Sequence, residues 1–293
     1  MKKDLVNDPQ VLGMFDAYVH GLISRRQFLD QAASFSATGL SAAALLELLS
    51  PNYALAQQVS PDDPSIVVGY REYDSPQGGG NMRGYLAMPA NAEGELPGVV
   101  VIHENRGLNP YIEDVARRTA VAGFVAFAPD ALTPLGGYPG NDDEGRALQQ
   151  QRDRNEMLND FIAAVRYLQR HEACSGKVGC VGFCFGGWMA NALAVNVADL
   201  GAAVAFYGGQ PEAADVARIN APLLIHHGGL DERVNAGWPA YRVALEASGK
   251  RFIEYTYEGC NHGFHNDTTP RYDQAAAELA WQRTIEFFRQ NLV

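Results

Sequence analysis

The sequence predicts an α/β fold in which one doubly wound, mostly parallel sheet begins with an antiparallel N-terminal hairpin. Two observations lead to this prediction. Predicted strands and helices alternate along the chain after residue 62, and the first two predicted strands are joined by a short Gly-rich turn. A hydrophobic content of 47% supplies enough apolar side chains for a large core. No apolar run reaches the roughly 20 residues that a membrane span requires.

Each predicted element follows from its local pattern. The hairpin strands alternate around the turn at 76–81, and 98–103 is a continuous apolar run, as expected for a strand buried on both faces. The predicted strands are 65–73, 82–88, 98–103, 124–128, 178–181, 202–207, 222–226 and 251–257. Helical spacing predicts helices over 111–122, 142–171, 188–197 and 275–291, and 133–141 is a Gly-rich surface loop.

The most informative motif is Gly-Phe-Cys-Phe-Gly-Gly at residues 182–187, hereafter the elbow. It follows an apolar strand and precedes a helix, with Cys184 at its tip. A strand, a sharp turn that exposes one nucleophile and a helix form the nucleophile elbow of α/β-hydrolases, in which serine is usual. The flanking glycines allow strand and helix to pass closely. The alternative is an ordinary Gly-rich turn that happens to contain a buried cysteine.

An acid and a base follow Cys184 in the order that this fold requires. Asp231 comes just after the strand 222–226, and His262 comes after the strand 251–257. Because catalytic groups in such sheets lie beyond the carboxyl ends of the strands, the three side chains are expected to meet. Asp231 is alternatively a turn-capping residue. The other histidines near strand ends, His226, His227 and His265, compete with His262 for the role of base.

These residue types suit nucleophilic catalysis. His262 would take the thiol proton of Cys184, and Asp231 would fix the imidazole tautomer. The positive end of the helix after the elbow would lower the thiol pKa. The backbone N–H of Phe185 is the expected first oxyanion donor, and a second is expected from the loop after the strand that ends at His103.

With these residues assigned, the sequence resembles the dienelactone hydrolase family. Four segments carry the resemblance: His-Glu-Asn-Arg-Gly at 103–107, the elbow, Gly-Gly-Leu-Asp at 228–231 and Asn-His-Gly-Phe at 261–264. The resemblance implies a cofactor-free cysteine hydrolase that acts on lactones or activated esters. It also implies that Glu104 helps to deprotonate the nucleophile and that Asn105 supplies the second oxyanion N–H. The alternative for Glu104 is a structural salt bridge with Arg106, Arg117 or Arg118.

The sequence departs from the family pattern where the substrate is held. The family uses two arginines for a substrate carboxylate, and the one that follows the catalytic histidine is replaced here by Asn266. Three arginines remain open for the other position: Arg146, Arg152 and Arg154. Further candidates for substrate binding are Arg106, Tyr138 and Trp188, and His265 is a further candidate for shaping the pocket.

The sequence therefore predicts a cofactor-independent hydrolase that cleaves a lactone or small carboxylic ester through Cys184, His262 and Asp231, with a covalent acyl-cysteine intermediate. The alternatives are a thioesterase or general carboxylesterase at the same site, a non-catalytic binding protein on this scaffold, and a thiol redox protein. The expected partner is a small molecule. A net charge of −11 argues against nucleic acid and anionic membranes. No residue spacing suggests a metal site.

The first 57 residues, hereafter the N-terminal arm, differ in character from the domain at 58–293. Ser-Arg-Arg-Gln-Phe-Leu at 24–29 resembles a twin-arginine export signal, and an apolar stretch and the small residues 54–56 follow it. This pattern predicts export to the periplasm and cleavage before Gln57. The alternative is a cytoplasmic protein that retains the arm, because 8–29 also has the pattern of an amphipathic helix.

Overall fold

The computed structural model describes residues 5–38, 40–55 and 57–293. Ala56, the last small residue of the predicted cleavage site, lies outside these residues. Eight strands form one sheet, which confirms the predicted fold class. The strands are β1 (Ile66–Ser75), β2 (Gly80–Pro89), β3 (Leu96–Ile102), β4 (Val125–Pro129), β5 (Cys174–Phe183), β6 (Ala202–Phe206), β7 (Leu223–Gly228) and β8 (Phe252–Tyr257).

The α-helices lie before, between and after the strands. Those of the arm are α1 (Pro9–Val19), α2 (Arg25–Ala32) and α3 (Ala42–Leu49). Those of the domain are α4 (Pro110–Val121), α5 (Asp142–Gln149), α6 (Arg154–Gln169), α7 (Phe185–Asn196), α8 (Glu232–Asn235), α9 (Trp238–Ala247) and α10 (Gln274–Leu292).

Two helices of the sequence analysis are each divided in the structure. The prediction of one helix over 142–171 is wrong, because Asp153 caps a new helix by accepting hydrogen bonds from the backbone N–H groups of Asn155 and Glu156. The amphipathic pattern over 8–29 likewise belongs to α1 and α2. Gly21 has a φ of 74° between them, and Ser24 forms a capping box with Gln27.

The strand order is β1-β2-β4-β3-β5-β6-β7-β8. The first three strands in this order pair antiparallel, and the remaining pairs are parallel. Strand β5 lies near the centre, between β3 and β6, where Gly182 pairs with Ile102 and Phe183 pairs with Phe206. The carboxyl ends of the parallel strands therefore meet around the residue that follows Phe183.

The core consists of two apolar clusters packed on the sheet, and the arm contributes a third cluster of its own. Phe28, Leu45 and Leu49 are fully or almost fully buried within the arm cluster. The arm therefore buries apolar surface as a small helical unit. No helix among the described residues is both long and apolar enough to cross a membrane. The four cysteines are free thiols.

Candidate active site

Cys184 lies between β5 and α7, at the tip of the elbow. Its backbone has φ 57° and ψ −110°, and only one other described non-glycine residue, Tyr207, has a positive φ. Its carbonyl accepts hydrogen bonds from the backbone N–H groups of Gly187 (3.0 Å) and Trp188 (3.1 Å). The strained backbone thus turns the thiol out of the sheet at the start of a helix.

The glycines of the elbow are required by close backbone approach. A Cβ on Gly182 would overlap the carbonyl of Gly186, and a Cβ on Gly186 would overlap the carbonyl of Ile102. A Cβ on Gly187 would lie 2.6 Å from the carbonyl oxygen of Phe206. The strand–helix contact at the elbow therefore excludes any side chain at these three positions.

His262 and Asp231 meet beside the elbow in the order that the sequence predicted. The Nδ1 atom of His262 is 2.6 Å from Oδ2 of Asp231. The other carboxylate oxygen, Oδ1, caps α8 by accepting a hydrogen bond from the backbone N–H of Val234 (3.2 Å). Asp231 therefore performs both roles that the sequence analysis considered, the helix cap and the partner of the imidazole. Both side chains are almost fully buried.

The thiol and His262 change each other's acidity. Burial raises the pKa of the Cys184 thiol, but the charges of His262 and His20 and the hydrogen bond with His20 outweigh burial and lower the pKa to about 5. Burial lowers the pKa of His262, but Cys184 and Asp231 raise it to about 10. The favoured state at neutral pH is therefore a thiolate beside an imidazolium.

A second histidine, His20, reaches the thiol from the arm. Its Nε2 lies 3.4 Å from Cys184 Sγ, and its ring packs edge-on against that of His262 with the centroids 4.7 Å apart. Its Nδ1 faces Asp16, 2.7 Å from the backbone carbonyl and 3.2 Å from the carboxylate. The sequence analysis missed both residues because they precede the elbow by more than 160 positions and no local pattern links them to it.

Among the described side chains, Glu104 forms no hydrogen bond with Cys184 and is bound to other partners. Its Oε2 accepts a hydrogen bond from Asn266 Nδ2 (3.0 Å) and forms an ion pair with Arg106 (3.3 Å). Arg106 also pairs with Asp142 (2.8 Å). The structure thus contains the salt bridge that the sequence analysis gave as the alternative for Glu104. Asn266, which stands where the family pattern has an arginine, fixes this carboxylate.

A cavity of about 490 Å³ opens beside the thiol. Of the residues that the sequence placed at the site, the following line it: Asn105, Arg146, Arg152, Arg154, Cys184, Phe185, Trp188 and His262. Arg106 and Tyr138 are not among its lining residues, because Arg106 is enclosed by its two carboxylates and the Tyr138 hydroxyl donates to Asp142 (2.9 Å). Arg233, which the sequence analysis did not single out, also lines the cavity.

Among the described residues, one group of side chains lies close enough together to share a metal ion: His20, Cys184 and His262. Their nitrogen and sulfur atoms lie within 4.8 Å of one another. Each imidazole has its Nδ1 beside an aspartate. A thiol on an elbow beside two such imidazoles also suits nucleophilic acyl transfer, and we interpret the cluster in that way.

Comparisons with known proteins agree with this geometry. A family model described as "Dienelactone hydrolase family" matches residues 82–292, and one described as "YqhI-like" matches residues 3–37 of the arm. "Putative hydrolase fragment YghX" of Escherichia coli K12 is 64% identical over 114 residues, which are 39% of this chain and 97% of that protein. "Putative carboxymethylenebutenolidase" of Escherichia coli O157:H7 is 31% identical and covers 79% of this chain and 89% of its own length.

A solved structure of similar shape is that of a dienelactone hydrolase-like promiscuous phosphotriesterase from metagenomic libraries. It superposes with a TM-score of 0.69 at 26% identity and covers 78% of this chain and 100% of its own. The family match covers well over half of the chain and includes the elbow, Asp231 and His262. The chain therefore belongs to the dienelactone hydrolase family and is a hydrolase of esters or lactones.

Proposed function

We propose that the protein hydrolyses a lactone or small carboxylic ester through Cys184, His262 and Asp231, by way of an acyl-cysteine intermediate and with no cofactor. The observation that carries the proposal is the state of Cys184. Its thiol sits at the strained tip of the elbow, next to an imidazole that is hydrogen-bonded to Asp231, and its pKa is lowered to about 5. A thiolate is the reactive form of a cysteine nucleophile.

The reaction follows in two stages. In the first, the Cys184 thiolate adds to the carbonyl carbon, the C–O bond of the ester breaks, and the protonated His262 gives its proton to the departing oxygen. In the second, neutral His262 takes a proton from water as the water oxygen adds to the thioester. The C–S bond then breaks, and the thiolate and the imidazolium are restored. The products are an acid and an alcohol, or a hydroxy or keto acid from a lactone.

The negatively charged oxygen of each tetrahedral intermediate requires hydrogen-bond donors beside the thiol. Phe185 begins α7 and Asn105 follows β3, and both residues line the cavity at Cys184. We assign the oxyanion to their backbone N–H groups, with the positive end of α7 adding to the stabilisation. The family role of Glu104 in deprotonating the thiol is not needed here, since the two imidazoles already favour the thiolate.

The cavity favours an ester or lactone that carries a carboxylate. Four arginines line it: Arg146, Arg152, Arg154 and Arg233. Three of them are paired with acidic side chains: Arg146 with Asp143, Arg152 with Asp160, and Arg233 with Asp16. Among the described residues Arg154 has no ion pair within 4.0 Å, and its guanidinium lies over the Trp188 ring at 5.2 Å. Arg154 is therefore the cation that is free to bind a substrate anion.

Two substitutions test the mechanism and the substrate class together. Cys184→Ala is expected to lower kcat by about a thousandfold or more on every ester, because it removes the nucleophile. Arg154→Gln is expected to raise KM about tenfold for a carboxylate-bearing lactone but not for a neutral ester, because one charge-assisted hydrogen bond is lost. Steady-state kinetics on a dienelactone and on p-nitrophenyl acetate would measure both effects.

Matched controls are available in the same chain. Cys174→Ala removes a buried thiol that does not line the cavity, and Arg166→Gln removes an arginine of α6 that pairs with Asp199 instead. Both controls are expected to keep wild-type kinetics. Normal turnover by Cys184→Ala would refute the mechanism, and equal effects of Arg154→Gln on the two substrates would refute the anionic substrate class.

A further inference from the structure

The arm brings a second aspartate–histidine pair to the nucleophile. His20 is the C-cap residue that follows α1, and its Nε2 lies 3.4 Å from Cys184 Sγ. Asp16, one helical turn earlier, lies 3.2 Å from the His20 Nδ1. The arrangement resembles that of Asp231 and His262, except that the His20 Nδ1 lies closer to the Asp16 backbone carbonyl (2.7 Å) than to its carboxylate. The two imidazole rings are in contact.

Specific contacts with the domain fix the arm in this position. The side chain of Asn105, in the loop that supplies the assigned oxyanion donor, donates a hydrogen bond to the carbonyl of Val19 (2.7 Å). The Tyr18 hydroxyl donates to Asp143 (2.5 Å), and the guanidinium of Arg146 lies 4.8 Å from the Tyr18 ring. The residues immediately before His20 are thus held by the same segments that line the cavity.

The arm forms a wall of the cavity and leaves the thiol accessible. His20 lines the open cavity of about 490 Å³ together with Cys184, and Cys184 itself is only partly buried. An inhibitory segment would be expected to fill the space in front of the nucleophile. Here the cavity beside the thiol remains open, and His20 is one of its lining residues.

We propose that the arm is a permanent part of the active site, in which His20, oriented by Asp16, is a second imidazolium that stabilises the Cys184 thiolate. This inference rests on the proposed role of Cys184 as the nucleophile. It adds a catalytic residue from outside the segment that matches the dienelactone hydrolase family, which begins at residue 82.

Cys184 and Asp16 favour a protonated His20 ring, whereas His262 and Arg233 oppose it. Burial lowers the pKa of His20, but the charge of Cys184 and the hydrogen bonds to Asp16 and Cys184 outweigh burial and raise it, against the opposing charge of His262. Arg233 opposes protonation of His20, because its guanidinium lies 3.0 Å from the His20 Nε2 and can donate only to an unprotonated nitrogen. The same guanidinium lies 3.4 Å from the Asp16 carboxylate. The Asp16 carboxylate faces His20, Arg233 and Arg271, and it balances part of this positive charge.

The proposal also bears on the fate of the arm. Cleavage before Gln57 would remove His20 together with the rest of its helix. A working enzyme must therefore retain residues 1–57, as in the alternative interpretation of the arm as a retained helical segment. The Ser-Arg-Arg sequence is then a helix start, in which Ser24 caps α2 and Arg25 faces Asp143 at 3.7 Å.

The test measures the pH at which the Cys184 thiolate forms, independently of ester turnover. The full-length protein is treated with iodoacetamide from pH 4 to pH 10, and the labelling rate of Cys184 is followed by mass spectrometry in wild type, His20→Gln and His20→Ala. His20→Gln keeps the size and hydrogen-bonding capacity of the ring but cannot carry its charge. His171→Gln is the matched control, because His171 lies after α6 and does not line the cavity.

We expect the labelling midpoint of His20→Gln to rise by about one unit or more, so that Cys184 labels at least about fivefold more slowly at pH 5 than in wild type. Added imidazole should restore fast labelling in His20→Ala, and His171→Gln should match wild type. A His20→Gln midpoint equal to that of wild type would overturn the role of His20 even if Cys184→Ala had no turnover. The intact mass of the active protein from its native cell should include the arm, and an active mature form without it would overturn the proposal.

Discussion

At the scale of the residue, the chemistry of the site depends on how three side chains share protons. Nitrogen and sulfur atoms of Cys184, His262 and His20 lie within 4.8 Å of one another, and each imidazole has an aspartate beside its Nδ1. Desolvation opposes charge on each of the three groups, and the attraction between the thiolate and the imidazoliums overcomes it. The proposed nucleophile, Cys184, is thus expected to be charged before substrate binds.

This arrangement predicts the pH dependence of hydrolysis. Because the thiol pKa is lowered to about 5, kcat/KM should rise as the pH increases through that value and the thiolate forms. It should fall as the pH increases through about 10, where His262 loses the proton that the departing oxygen requires. Initial rates at subsaturating ester from pH 4 to pH 11 would measure the profile. A rising limb near pH 8.5, the value of an ordinary thiol, would contradict the prediction.

At the scale of the element, the elbow can form because its glycines let the strand, the turn and the helix approach one another without side chains between them. The sequence predicted this element, since glycine, cysteine and glycine stand at fixed spacing between an apolar run and a helix. It did not predict the two helix breaks, because the apolar spacing continues through both of them. Capping by Ser24 and Asp153 decides those breaks, and the first of them leaves His20 at the end of α1.

Gly186→Ala is expected to destabilise the protein by about 2 kcal/mol or more, because the new Cβ would overlap the carbonyl of Ile102. Gly13→Ala is the control. Gly13 lies within α1 with open space around it, so alanine there should leave stability unchanged or raise it by up to about 1 kcal/mol. Urea unfolding would compare the two variants with wild type. Equal midpoints for Gly186→Ala and wild type would show that the elbow tolerates a side chain.

At the scale of the whole molecule, the site is assembled from segments far apart in the chain. The sheet topology brings the loops after β5, β7 and β8 together. Residue type, chain order and placement after strand ends predicted that Asp231 and His262 would lie beside the elbow, where the structure has them. His20 could not be predicted in this way. The contact between the arm and the domain depends on side-chain pairs such as Asn105 with Val19, for which the sequence carries no periodic signal.

Dependence on side-chain packing also explains why only some of the substrate-binding candidates line the cavity. Arg154 and Trp188 line the cavity, whereas Arg106 and Tyr138 are directed to Asp142. Which carboxylate an arginine pairs with depends on the packing of several loops at once. Residue type and order therefore selected Cys184, Asp231 and His262 as candidates but left the arginines undecided.

The central claim is that Cys184 is the nucleophile of an ester or lactone hydrolase. The most direct measurement is the loss of p-nitrophenyl acetate hydrolysis during iodoacetamide treatment at pH 6, with mass spectrometry to locate the label. Because the other three cysteines have pKa values raised by burial, Cys184 should be labelled first. We expect activity to disappear in proportion to one label at Cys184. Full activity with Cys184 completely labelled would contradict the account.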